Sequence, residues 1–366
     1  YGPLLASLGA SALAVGAITG AGEAAALIFR VVFGPLADRT RRYWTLTIAG
    51  YALTAVCVPL LAVAPLLGGA GLAVATVLIL AERLGKAVRS PAKSALLADA
   101  AAKVGMGRGL GVHKALDQIG AFAGPLLVAG LVAWSGSISP GLLALAVPGG
   151  VAMVLLGVTR RRLPEPEAPA VSAPTVSGRV RLPPRFLWFA IGTTLCTAGL
   201  VTFGLISFSL VQRHLVPTAG APLLYAAAMA AEALAALATG EVYDRLGPRV
   251  LLGLPLLVAC VPALAFGSSL TLAVLGILLW GAATGVQDST VKALVADLVV
   301  RERRATAYGV FAALQGAGAL VGGIAAGALY SHSVSWLVTA IAATQVVALS
   351  VLLPAVSRRP APHHQL

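Results

Sequence analysis

The sequence predicts an all-α polytopic membrane protein made of two copies of one helical bundle, and three observations predict it. Of the 366 residues, 58% are hydrophobic and only 11% are charged, far less charge than a soluble chain of this length carries. Apolar stretches of about 20 residues, the length that crosses a bilayer, recur from one end to the other. The segment GPLADRTRR, Gly34 to Arg42, has a second copy, GEVYDRLGPR, beginning at Gly240. Pairing Gly34 with Gly240 aligns Asp38 with Asp244 and Arg39 with Arg245. Each copy ends one long apolar run, and the next begins within a few residues.

Taken in order, residues 1–10 read as an outer loop. Spans follow at about 12–36, 44–66, 71–98, 109–133 and 140–159. The polar, proline-rich stretch from Arg160 to Arg185 reads as a linker. The second half gives spans at about 185–212, 218–242, 249–267, 270–298, 306–330 and 334–356. Glycine and proline inside these runs are compatible with membrane helices. Cys57, Cys196 and Cys260 fall within apolar runs and read as small buried hydrophobes. Trp44, Trp134, Trp188 and Trp336 lie near span ends and read as interface anchors.

Basic residues set the orientation. Arg39, Arg41, Arg42, Lys103, Arg108, Arg160, Arg161, Arg162, Arg245, Arg249, Arg301, Arg303 and Arg304 all fall in loops on one side, and the opposite loops hold only Arg213. The positive-inside rule makes the basic side cytoplasmic and places Tyr1 outside. The net charge of +13 is thus a topology signal, and a nucleic-acid partner is not expected. The second half has one more span before its Asp-Arg hairpin than the first. A matching helix is therefore expected ahead of Tyr1, giving twelve spans, six per half, with cytoplasmic termini. The alternative is a genuine eleven-span protein. The expected layout is an N-terminal bundle over 1–159 lacking its first helix, a cytoplasmic linker over 160–184, a six-helix bundle over 185–357 and a tail over 358–366.

A further match supports the duplication. ALLAD at Ala95–Asp99 pairs with ALVAD at Ala293–Asp297, and GVHKALDQIGAFAG at Gly111–Gly124 pairs with GVFAALQGAGALVG at Gly309–Gly322. One constant offset covers both without a gap.

These residues resemble the major facilitator superfamily along essentially the whole chain. Its loop signature, roughly G-x-x-x-D-R-x-G-R-[KR], is matched by Gly34, Asp38, Arg39 and Arg42, with Arg41 where the pattern has glycine. The second copy keeps Gly240, Asp244, Arg245, Gly247 and Arg249, with Pro248 intruding. The resemblance implies two pseudo-symmetric six-helix bundles around a central cavity that opens to each side in turn. It also implies that the hairpins form a conformational latch for the outward-open state; plain topology marking is the alternative. Gly120, Gly124 and Pro125 are similar to the antiporter signature of the family's fifth helix, although LLVAG follows where a glycine pair is expected. With Gly318 and Gly322 they form a candidate helix-packing motif, since missing side chains let helices approach closely.

Charges inside spans cost several kcal/mol unless paired or hydrated, so they mark pathways or networks. Glu82, Lys86, Arg89 and Lys93 are spaced 4, 3 and 4 apart and form one stripe on a helix. Arg83 resembles the family's fourth-helix arginine, which is implicated in proton coupling. Glu23, Arg30, Lys114, Asp117, Glu232, Asp288 and Lys292 add further intramembrane charge. Glu23, Glu82, Arg83 and Glu232 are favoured as cavity or proton-relay groups. Lys93, Lys114, Asp117, Asp288 and Lys292 divide between that role and structural ion pairs, and Arg30 and Arg89 stand between the two groups. Trp280 is a candidate substrate contact. Thr193, Thr194, Thr202, Phe203, Ser207, Phe208 and Gln212 either line the cavity or pack helices.

The expected function is secondary active transport of a small solute, proton-coupled and in the export direction, by a monomer in a bacterial inner membrane. Solute, protons and lipid are the expected partners, and no cofactor or metal is expected. An importer or uniporter of a small metabolite is the alternative within transport, and a non-transporting sensor or scaffold lies outside it. An enzyme is not expected, because the sequence has no HExxH, no GxSxG and no close set of histidines within a span. The Lys and Arg stripe suits an anionic or zwitterionic solute, while the apolar lining leaves an amphipathic drug open.

Overall fold

The computed structural model describes residues 1–104, 106–163, 182–287, 294, 298–299 and 304–356. Every regular element is helical: α1 (Gly2–Ser7), α2 (Ala12–Ile28), α3 (Arg30–Thr40), α4 (Tyr43–Leu60), α5 (Gly71–Val104), α6 (Met106–Ser135), α7 (Ile138–Ala144) and α8 (Ala146–Arg162) in the first half. The second half holds α9 (Pro184–Gly199), α10 (Phe203–Gln212), α11 (Gly220–Leu246), α12 (Gly253–Ala265), α13 (Leu270–Val286), α14 (Arg304–His332) and α15 (Val334–Val356).

Eight helical stretches are long and apolar enough to cross a membrane. One of them, Tyr43–Leu97, contains two passes, joined through the 3-10 segment Leu61–Ala70, where Gly68 turns the chain at φ 52°. Adding the shorter apolar helices Ile119–Ser135 and Leu270–Val286 gives eleven passes among the described residues. Leu66, Val77, Val147, Leu234, Leu237 and Val346 are exposed apolar side chains. In water they would be a liability; in a bilayer they form the lipid-facing surface.

The chain divides into two compact units, Ala25–Arg181 and Tyr1–Ala24 with Leu182–Leu366. In the first, α4 packs closely on α5. A Cβ at Gly50 would stand 2.5 Å from the Gly85 oxygen, and one at Gly85 would stand 2.8 Å from the Gly50 oxygen. In the second, Gly281 and Gly285 of α13 lie directly on the backbone of α11 at Ala228 and Glu232. Small residues let the helix backbones approach, which is how helices associate where lipid is as apolar as the side chains.

Three local expectations are corrected. Residues 1–10 are not simply loop: α1 is helical, and Leu4 and Leu5 are fully buried. Trp44 is buried, 5% exposed, whereas Trp134, Trp188 and Trp336 are exposed as interface anchors should be. Cys57 and Cys196 are buried, but Cys260 is exposed, because its face of α12 points away from the neighbouring helices.

Candidate functional site

The charged stripe lies on α5 within the unit Ala25–Arg181. No residue from 78 to 93 is exposed, so these charges are at least partly covered by protein. Glu82 is 7% exposed, and its Oε2 lies 3.4 Å from Nε of Arg83. The neighbour in sequence therefore supplies its cation, in addition to the i,i+4 relation to Lys86. Lys86 and Lys93 are half-buried.

Arg89, seven residues beyond Glu82, reaches across to α4. Its Nη1 donates to the Gly50 carbonyl at 3.3 Å and to Thr54 Oγ1 at 2.5 Å. Its guanidinium carbon lies 4.6 Å from the centre of the Tyr51 ring, a cation–π geometry. The Gly50–Gly85 approach makes this reach possible, because it draws α4 against α5 one turn before Arg89. Asp117 on α6 is exposed, and its carboxylate acts electrostatically on the Tyr51 phenol. Tyr51 and Thr54 belong to this cluster although no sequence signal marked them. They lie in an apolar run whose partner helix is about 35 residues away.

The other unit holds an aromatic cluster at a break in the sixth described pass. α9 ends at Gly199 and α10 starts at Phe203, with Thr202 capping α10 through its side chain. Trp280 Nε1 donates to the Val201 carbonyl in the break at 2.7 Å. The rings of Phe203 and Tyr225 lie 4.9 Å apart, and Phe203 and Trp280 lie 5.5 Å apart. Broken helices expose backbone polar groups where carriers bind solutes, and the three half-buried rings stand beside this one. Thr202 also meets Thr19 of α2, hydroxyl to hydroxyl at 2.8 Å. Tyr225 precedes Glu232 by seven residues, so both occupy one face of α11. Glu23 and Arg30 are half-buried, as is Glu232. Thr193, Ser207 and Phe208 are fully buried and serve packing. Thr194 lies against Gly318, and Gln212 is exposed.

At the first hairpin, Arg39 and Arg42 are exposed. Arg41 adopts φ 53° and caps α3 with its N–H on the Ala37 carbonyl. Gly247, the aligned residue of the second copy, has φ 67°. The backbone thus takes a positive φ at this position in both copies, left-handed in the first, where arginine occupies it. Left-handed arginine is strained by about 1–2 kcal/mol, so Arg41→Gly is expected to stabilise the protein by about 0.5–1 kcal/mol after glycine's entropic cost. Thermal unfolding in detergent should show a small rise in Tm, and a fall would contradict this account. Arg249 is exposed, and Arg245 pairs with Glu241 one turn earlier, an exposed pair of little energetic weight.

Nothing lies within 4 Å of where a Cβ on Gly34 would stand, so no close helix approach is made there in this conformation. Gly120 and Gly124 also face open space, whereas Gly318 and Gly322, their counterparts in the repeat, lie on α9 at Thr194 and Ala198. Pro125 follows within α6. Asp288 and Lys292 lie outside the described residues, as do the side chains of Asp38, Lys114 and Asp244 and the surroundings of Gly240.

Duplicated hairpins, eleven passes and enclosed charges define a polytopic carrier. The chain belongs to the Major Facilitator Superfamily, which it matches over residues 1–216 and 214–366. It is 50% identical over 358 residues to an uncharacterized protein of Mycobacterium tuberculosis (strain ATCC 25618 / H37Rv), covering 96% of this chain and 86% of that one. It is 24% identical over 341 residues to an uncharacterized MFS-type transporter of Methanocaldococcus jannaschii, covering 90% and 83%. A point variant of the nucleoside transporter NupG superposes with a TM-score of 0.74 at 16% identity over 97% of this chain and 93% of that one. A bacterial homologue of the iron transporter ferroportin, in its inward-facing state, gives 0.64 at 17% over 97% and 99%. At these identities the structural likeness shows the fold alone. The protein is a multi-pass membrane transporter, in contact with lipid, that moves a small solute by alternating access. Its activity is transport and not catalysis.

Proposed function

We propose that the chain is a proton-coupled exporter of a small organic solute, acting as a monomer in a bacterial inner membrane. The observation that carries the coupling is Glu82, a carboxylate enclosed within α5 and 3.4 Å from the Arg83 guanidinium. Carboxylates enclosed within membrane helices mark proton pathways by default. Glu23 and Glu232 are the other relay candidates. The GAFAGP segment of α6 supports antiport, and the arginine-rich ends of α3, α8 and α11 support cytoplasmic termini. The two Asp-Arg hairpins are the proposed latch, and the proposed bundles are 1–159 and 185–357, joined by a linker over 160–184.

Proteoliposomes with an imposed pH gradient test this. The wild type should accumulate solute against its gradient, with flux reversing when the pH gradient is reversed. Glu82→Gln should lose gradient-driven accumulation while keeping solute counterflow, since exchange needs no net proton movement. Full gradient-driven accumulation in Glu82→Gln, and also in Glu23→Gln and Glu232→Gln, would overturn the coupling. Accumulation driven only inward by an inward proton gradient would make the protein an importer.

A further inference from the structure

The charges of α5 differ in how they are answered. Arg83 lies beside a carboxylate, as does the exposed Arg245 of α11. Arg89 does not. Among the described residues its contacts are the Gly50 carbonyl, the Thr54 hydroxyl and the Tyr51 ring. All three are uncharged, and all are on α4.

Both hydrogen bonds leave from Nη1. A guanidinium has five N–H groups, and the three on Nε and Nη2 make no hydrogen bond among the described residues. That edge is the one that grips a carboxylate through two parallel bonds. The ring beneath and the bonds on Nη1 hold the group still, so little freedom remains to be lost when an anion arrives. A cation enclosed at this depth costs several kcal/mol without a counter-charge, and among the described residues no carboxylate lies within salt-bridge distance of it.

We infer that the Nε–Nη2 edge of Arg89, backed by Tyr51 and Thr54, is the recognition site for the carboxylate of a transported solute. Asp117 narrows the class. Its exposed carboxylate acts on the same Tyr51 from α6, so it disfavours a second negative charge and favours an ammonium on the solute. The site therefore takes a carboxylate of single negative charge, including zwitterions, in preference to dianions such as phosphate. This deepens the transport reading and rests on the chain being a carrier, but it does not depend on coupling to protons.

The test uses the full-length protein in phosphatidylcholine nanodiscs, labelled with phenylglyoxal and read arginine by arginine by peptide mass spectrometry. Sodium benzoate and glycine should each slow labelling of Arg89 while leaving the exposed Arg39 and Arg245 unchanged. Choline chloride and ribose should have no effect, and phosphate should protect less than benzoate. Arg89→Lys keeps the charge but loses the fork, and calorimetry should show benzoate binding weakened by about 10- to 100-fold. Ser94→Ala, at an exposed position farther along α5, should bind benzoate as the wild type does, which shows that α5 tolerates substitution. Arg89 labelling indifferent to benzoate and glycine, or unchanged benzoate affinity in a folded Arg89→Lys protein, would overturn the assignment. So would protection produced only by adding phosphatidylglycerol, since that assigns the edge to a lipid headgroup. Loss of pH-gradient coupling with Arg89 protection intact would sink the proton reading and leave this one standing.

Discussion

Gly50→Leu is expected to leave almost no folded protein in the membrane fraction. A Cβ at Gly50 would already stand 2.5 Å from the Gly85 oxygen, 2.6 Å from Cβ of Arg89 and 2.8 Å from the Arg89 nitrogen. Two of these obstacles are backbone, so the neighbour cannot rotate away. α4 must separate from α5 or shift along it. Separation forfeits close packing along both helices, and membrane helices have little else to hold them together. It also removes the Gly50, Tyr51 and Thr54 contacts of Arg89, leaving an enclosed cation with nothing in its place. The two losses together should exceed about 3 kcal/mol, beyond the usual cost of overpacking. The measurement is the yield of monodisperse protein after detergent extraction, set beside Gly34→Leu. Gly34 has open space around it, so that variant should be recovered near wild-type yield. Equal recovery of the two variants would show that α4 and α5 do not depend on this approach.

The passes were legible in the sequence because the constraint behind them is simple. A bilayer needs about 20 apolar residues per helix, and the chain supplies them with basic residues at alternate ends. The duplication was legible because Gly34, Asp38 and Arg39 recur with one spacing at Gly240, Asp244 and Arg245. The enclosed charges could be named for the same reason: in an apolar run every Glu or Arg stands out. Their partners could not be. Helical spacing points Glu82 at Lys86 but gives no sign that Arg83 lies within salt-bridge distance of it, because side-chain direction and neighbouring helices decide what an enclosed carboxylate meets. The break at Leu200–Thr202 was invisible, since hydropathy runs through 185–212 without a dip. Tyr225 was overlooked in an alanine-rich run, where a single ring carries no signal until Phe203 and Trp280 arrive from other helices. Arg41 is the opposite case. The family pattern marks the position as glycine, and the structure gives the reason as a left-handed backbone that arginine is made to adopt.

Joining Thr19 to Thr202 should stop transport. The start of α2 lies on α14 through glycines on both sides. A Cβ on Gly323 would stand 2.6 Å from the Gly16 oxygen and 2.8 Å from Cα of Gly20. A Cβ on Gly327 would stand 2.5 Å from the Ala12 oxygen. Thr19 emerges from this seam to meet Thr202 at 2.8 Å, at the first turn of α10. The seam is formed by the ends of α2 and α14 remote from the basic loops. In an alternating-access carrier, helix ends that meet on one side must part once in each cycle. Glycine suits that duty, because backbone contact is intimate when made and leaves no interlocked side chains to disengage. With Thr19→Cys and Thr202→Cys together, in a background carrying Cys260→Ala, oxidation should form a disulfide across the seam and reduce flux to that of empty liposomes. Dithiothreitol should restore it. Each single variant should transport, at a modest stability cost of about 1 kcal/mol for Thr202→Cys because the cap of α10 is weakened. Full flux in the oxidised double variant, with the cross-link confirmed by mass spectrometry, would mean that α2 and α14 move as one body and that access changes elsewhere.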